Sequence, residues 1–259
     1  MEKNTHISYL IGEFEKTDRS DYDKMMLGIE EIDNAIQGLD TGEIITLLGD
    51  PGSGKTSLTI KMVDSFSVDR KIPILYMCQR NTPKDIIGRL VNYRSSSKDE
   101  HEMIIQQLAD SPIYLYKSNS INVDEFCEVC RQHVIDYGVK VVFVHYLYIN
   151  TEPDIAFRLR LLARELGISI VILVNIFEYR EGMEGILPCM RDLYDNLLGE
   201  YSDTVLGLCN YASYHIFVDE NGRDLRDLLH VSILKCHGEL QDRRFYIKKN
   251  LKSSNLGNS

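Results

Sequence analysis

The chain has 259 residues, of which 44% are hydrophobic and 26% charged, and a formal net charge of −10. That length and balance suit one α/β domain with a sizeable core and exclude collagen-like, intrinsically disordered and membrane-embedded classes. An acidic surface offers no general attraction to phosphate backbones, so any contact with nucleic acid must be local or built by several subunits together.

In chain order, the opening "MEKNTHISYL" holds no apolar stretch with a small-residue cleavage site, and the six cysteines form no paired framework, so a reducing cytoplasm is expected. Buried apolar runs predict strands at 43–49, 72–78, 112–117, 139–145 and 168–175. The most apolar of them, "ISIVILVNIF", is about half the ~20 residues that span a bilayer, so no membrane contact is expected. Helical periodicity falls between the strands, at roughly 54–66, 83–92, 99–109, 123–136 and 153–166. Asn122 before "VDEFCEVC", with Asp124 and Glu125 in the first turn and Gly138 after the last, marks both ends of one helix. Strand and helix alternating in this way predict an α/β fold with a mostly parallel sheet flanked by helices. Beyond residue 210 the pattern changes; Asn221-Gly222 reads as a turn between two strand-like runs, so antiparallel strands are expected to extend the sheet. Residues 251–259 read as a polar tail.

Chemistry enters with "GDPGSGKT", Gly49 to Thr56, which fits G-x-x-x-x-G-K-[ST] between a buried strand and a helix. Gly49, Asp50, Pro51, Gly52, Ser53, Gly54 and the helix start through Ser57 would curl so that backbone N–H groups face phosphate oxygens. Lys55 adds a point charge, and the Thr56 hydroxyl is the candidate Mg²⁺ ligand. A nucleotide is the ligand this pattern predicts.

The segment "MMLGIEEIDNAIQGLDTGEIITLLGDPGSGKT" resembles the entry into RecA-like P-loop ATPases of the RecA, KaiC and DnaB-type helicase group. Two patterns carry it, Gly-x-x-x-Leu/Ile-Asp at Gly28 to Asp33 and Gly-x-x-x-Gly-Glu at Gly38 to Glu43. "NVDEFCEVCRQHVIDYGVKVVFVHYLYIN", "FRLRLLARELGISIVILVNI" and "HVSILKCHG" are similar in order and spacing to later DnaB-type segments. The resemblance runs over about residues 25–250, leaving residues 1–24 as an arm or linker. It implies a RecA-like fold, ATP with Mg²⁺ as cofactors, a homo-oligomeric ring or filament, single-stranded DNA as a partner and a place in DNA replication. It also places DNA-gripping loops near 178–192, where acids are at least as frequent as bases.

Matched residue by residue, the resemblance exposes four departures. The Glu that activates water falls on Arg80, the Mg²⁺-holding Asp on His145, the γ-phosphate sensor Gln on Asn175, and the Lys-x-Arg finger that reaches a neighbouring subunit on Lys235 and His237. Arg80 cannot act as a base, because guanidinium stays protonated. Loss of a general base typically costs about 10² to 10⁴ in rate, and an arginine finger contributes about 10³ to 10⁵ where it operates. The expectation is a chain that keeps ATP and hydrolyses it slowly, with reduced need for Mg²⁺. Two alternatives stay open: a nucleotide-dependent regulatory module without catalysis, and a KaiC- or RecA-like ATPase with a displaced carboxylate from Glu152, Asp154 or Glu178. His145 also admits a plain role, hydrogen-bonded to backbone at a strand end.

Three further signals read as structural. Cys127, Cys130 and His133 lie on one helix face without a second ligand pair, which suits core packing rather than zinc. "RRFYIKK" suits an edge strand guarded by bases, and "RLRLLARE" an amphipathic helix.

Overall fold

The computed structural model describes residues 24–79, 81–118, 122–145, 154–176 and 185–249, with the side chains of 98 and 194–196 outside the description. Eight strands among these residues are β1 (Ile44–Gly49), β2 (Ile74–Cys78), β3 (Ile113–Lys117), β4 (Val141–His145), β5 (Ser169–Asn175), β6 (Thr204–Cys209), β7 (Leu228–Cys236) and β8 (Glu239–Lys248). They form one sheet in the order β3-β2-β4-β5-β1-β6-β7-β8. The first six run parallel, and β7 and β8 are antiparallel. The helices are α1 (Glu30–Ile36), α2 (Lys55–Val63), α3 (Pro83–Arg94), α4 (His101–Ala109), α5 (Val123–Tyr137), α6 (Ile155–Leu166) and the short α7 (Leu198–Tyr201). None of the described helices is long and apolar enough to cross a membrane.

Successive residues of a strand point to opposite faces, so a strand covered on both sides must be apolar throughout. Leu47, Tyr76, Phe143, Val171 and Leu206 pack on one face with Leu58 and Met62 of α2 and Ile86 and Leu90 of α3. Leu48, Met77, Val142, Ile172 and Val205 pack on the other with Phe126 of α5 and Leu159 and Leu162 of α6. Burying one such side chain contributes about 1.5–3 kcal/mol, and the two layers fix the strands in register. Cys127 and Cys130 lie inside this second layer, and His133 bonds the Val129 carbonyl at 2.7 Å, in keeping with packing rather than metal binding. All six cysteines are free.

The helix ends follow the sequence. The Asn122 side chain accepts from the Glu125 N–H, and Gly138 adopts φ +66 at the far end. Thr82 and Asp85 form a reciprocal capping box ahead of Pro83. Upstream of the sheet, Asp33 accepts three backbone N–H bonds, from Leu27 (2.6 Å), Gly28 (2.9 Å) and Ile29 (3.0 Å), folding the entry segment over α1. The helix expected over 54–66 changes character partway: after Val63 the chain continues as a π-helical turn, Asp64–Asp69. Asp64 and Asp69 both meet Arg94 of α3, and that shared partner accompanies the wider turn.

Two features of the last third differ from expectation. β6, with the continuous apolar run "TVLGLC", is a strand beyond those expected from the sequence. The Asn221-Gly222 turn exists, but it closes a single bridge between Val218 and Asp224; the long antiparallel pair is β7 and β8, which turns at His237 and Gly238. Both of those residues have positive φ, +47 and +87, as a twisted two-residue hairpin requires. β8 forms the sheet edge, with Arg243 and Arg244 exposed along it. In α6, Arg158 pairs with Asp124 and Arg160 with Asp203, so the basic stretch serves the fold.

Candidate functional site

In a parallel sheet every strand delivers its C-terminal end to the same side, and ligands bind in the crevice there. β1 ends at Gly49 and hands the chain to the glycine-rich loop and then to α2. Asn175, the last residue of β5, pairs in register with Gly49, and His145, the last of β4, lies one strand farther out beside Leu173.

The loop is held from beneath. A side chain at Gly49 would collide with the Leu208 carbonyl and the Ser53 hydroxyl, so only glycine passes there. Gly54 caps α2 with φ +93, a conformation other residues rarely take. β6 and the turn after it brace the outside: the Asn210 amide donates to the Gly52 carbonyl (3.2 Å), and the Tyr214 hydroxyl donates to the Asp50 carboxylate. Lys55 is buried, its ammonium donating to the carbonyls of Gly49 (2.6 Å) and Asp50 (2.9 Å) and to the Ser53 hydroxyl (3.2 Å). The loop's own oxygens thus hold the ammonium inside the loop.

Above the loop opens a cleft of about 290 Å³, lined by Pro51, Gly52, Gly54, Lys55, Thr56, Ser57, Asn81, Arg89, His145 and Asn175. Eight residues expected of the site therefore meet in one place: Pro51, Gly52, Gly54, Lys55, Thr56 and Ser57 of the loop and helix start, with His145 and Asn175. No signal in the sequence marks Asn81 and Arg89; they follow β2, and the parallel sheet brings that strand end to the same side as the loop, with β4 and β5 between.

Among the described residues no carboxylate lines the cleft. Asp50 is engaged with Tyr214, and Asp154, one of the candidate displaced acids, is the exposed residue before α6 and does not border the cleft. The backbone N–H of the buried His145 donates to the Gln79 side-chain oxygen (3.2 Å), tying the ends of β4 and β2 together. Arg80, Glu152, Glu178, residues 1–23 and 250–259, and the first part of the 178–192 segment lie outside the described residues. As a donor set, two hydroxyls, two amides and an imidazole fit a divalent Mg²⁺ poorly, since that ion favours several hard oxygen ligands and usually a carboxylate.

The two residues read as an intersubunit finger, Lys235 and His237, both make hydrogen bonds within their own chain. The Lys235 ammonium donates to the carbonyls of Gly199 (3.1 Å) and Glu200 (2.9 Å) in α7. The His237 ring bonds the Glu43 carboxylate (3.1 Å) and the Ile36 carbonyl (2.8 Å). The cause is local: a non-glycine residue at φ +47 is strained, and anchoring both ring nitrogens holds the turn there.

The family model for the DnaB-like helicase C terminal domain matches residues 25–250. A probable plasmid replicative DNA helicase of Chlamydia muridarum is 24% identical over 207 residues, covering 71% of this chain and 46% of that protein. The replicative DNA helicase DnaB of Leifsonia xyli is 22% identical over 213 residues, covering 72% of this chain and 47% of that protein. The chain thus spans about half the length of these curated relatives. Among solved structures, an isolated ATPase domain superposes with a TM-score of 0.78 at 18% identity, over 95% of this chain and 96% of that one. A DnaB-like replicative helicase studied with its primase interactions gives 0.77 at 17% identity, over 92% and 64%.

Proposed function

From the premise that this chain belongs to the DnaB-like helicase C-terminal domain family, we propose that it is a RecA-like domain that holds ATP on residues 49–57 and hydrolyses it slowly. The carrying observation is the cleft itself: a phosphate loop with Lys55 in place, and no carboxylate among the described residues that line it.

Binding and turnover ask for different groups. Binding needs backbone N–H groups, a cation and the positive end of α2; the glycine-rich pattern of residues 49–57, Lys55 and the start of α2 support all three. Turnover needs a base for water and charge stabilisation where the terminal phosphate leaves. His145, at the position of the metal-holding acid, offers a neutral or positive ring, and Asn175 offers an amide dipole; neither supplies a carboxylate. With Arg80 at the position of the water-activating acid, the chain's own residues hold the triphosphate and leave water unactivated. Mg²⁺ arriving with the nucleotide would supply charge neutralisation, but of the chain's own groups only the Thr56 hydroxyl is read as its ligand, with no carboxylate among the described lining residues.

The same arrangement fits work in DNA replication as one subunit of an oligomer in which bound nucleotide sets assembly or partner contact, with single-stranded DNA the candidate partner. Single-turnover hydrolysis with protein in excess over ATP, with and without single-stranded DNA, tests this. The expected result is saturable binding with a hydrolysis rate well below about 1 s⁻¹, the low end of ordinary turnover. Rapid hydrolysis stimulated by DNA would show that an acid reaches the site from elsewhere.

A further inference from the structure

The cleft contains a cation that the loop motif does not explain. Arg89 belongs to α3, yet it lines the same space as Lys55 and Thr56. An arginine on an exposed helix face ordinarily pairs with an acid one turn away, and Asp85 stands four residues earlier. That carboxylate feels the Arg89 charge, but the bonds it makes are to the cap: one of its oxygens accepts from the Thr82 backbone N–H (2.8 Å) and from the Thr82 hydroxyl (2.8 Å). Among the described residues the Arg89 guanidinium makes neither an ion pair nor a hydrogen bond. The capping box and Pro83 fix the start of α3, and Ile86 and Leu90 are buried on either side of Arg89 in sequence. Its Cα is therefore held in place while the guanidinium keeps all five donors for a ligand.

Resting on the nucleotide-binding reading above, we infer that Arg89 is a second phosphate-binding residue that recognises the terminal phosphate of a nucleoside triphosphate and distinguishes it from a diphosphate. Lys55 rises from the loop itself and serves the phosphates nearest the helix start. Arg89 approaches from a different element, and a guanidinium fork matches two oxygens of one phosphate. In a cleft without a carboxylate to hold a metal, this second cation takes over part of the neutralisation that a third phosphate demands.

The test is equilibrium titration of ATP and of ADP, each in EDTA and in Mg²⁺, against the full chain and its R89A and R89K variants. A charge-assisted bond is worth about tenfold to a hundredfold in affinity. R89A is expected to weaken ATP by that factor while ADP shifts by less than about threefold, on the view that ADP lacks the contacted phosphate. R89K restores part of the ATP affinity, because a point charge replaces the charge and not the fork. The ADP curve also verifies that the variant is folded. Equal weakening of both nucleotides by R89A, or no change in either, overturns the inference while leaving the nucleotide site intact. Failure of the unaltered chain to bind either nucleotide overturns the nucleotide reading, and this inference with it.

Discussion

Replacing Lys55 with alanine separates what the loop does for itself from what it does for a ligand. In the free protein the ammonium already bonds two carbonyls and a hydroxyl of its own loop. A phosphate must therefore compete with those partners. A unit charge about 3 Å from one negative oxygen gains roughly 5 kcal/mol at an effective dielectric near 20. Surrendering the loop bonds offsets about 2 kcal/mol of that. The difference, about 3 kcal/mol, corresponds to a loss of roughly 100- to 200-fold in ATP affinity for K55A. The loop also loses its internal anchor: two carbonyls lose a donor, so the variant should melt a few degrees lower at about 1–2 kcal/mol of destabilisation. Isothermal titration and thermal melts on the same samples read both effects. An ATP affinity within about threefold of the parent would refute the reasoning, because the ammonium would then have no part in holding phosphate.

Other outcomes follow from particular residues. H145D places a carboxylate in the cleft; ATP affinity in EDTA should fall, and added Mg²⁺ should recover it by about tenfold or more, as titrations in the two buffers will show. D33N puts an amide NH₂ against backbone donors that now lack an acceptor, and urea melts should show a loss of about 2–4 kcal/mol. His230 is buried with its Nδ1 unpaired, and burial, aided by the nearby Arg244 charge, pushes its pKa from 6.5 down to about 4. The unfolded chain therefore takes up a proton near pH 6.5 that the folded chain refuses until about 4. Its contribution is complete above pH 6.5 and is lost as pH falls toward 4. Between about pH 7.5 and 5 the parent should lose about 2 kcal/mol more than H230F in paired denaturation curves, and equal slopes would show the ring is not the source.

Much of the fold was legible because it rests on local rules. The five leading strands are uninterrupted apolar runs, and Asn122 and Gly138 bracket α5 through chemistry confined to a few residues. The phosphate loop was legible for the same reason: its glycines serve the backbone at their own positions. β6 was harder, since its short run of small and apolar residues carries no alternation and is interrupted by Gly207, and its strand state comes from pairing with β1 on one side and β7 on the other. The hairpin at His237-Gly238 was hidden because histidine is an uncommon turn residue; its two ring bonds, to residues about 200 positions earlier, stabilise the conformation. Arg89 was invisible for a related reason. Nothing in "DIIGRL" marks a ligand, and its place at the cleft depends on β2 ending on the same side of the sheet as β1, with β4 and β5 between them, in an order that is not the chain order.

The central claim is that the cleft holds a triphosphate through the chain's own cations and amides. Titrating ATP into the unaltered chain in Mg²⁺ and again in EDTA measures this most directly. Affinities agreeing within about threefold are predicted. Binding that vanishes on chelation, with fast turnover when the metal is returned, would contradict it.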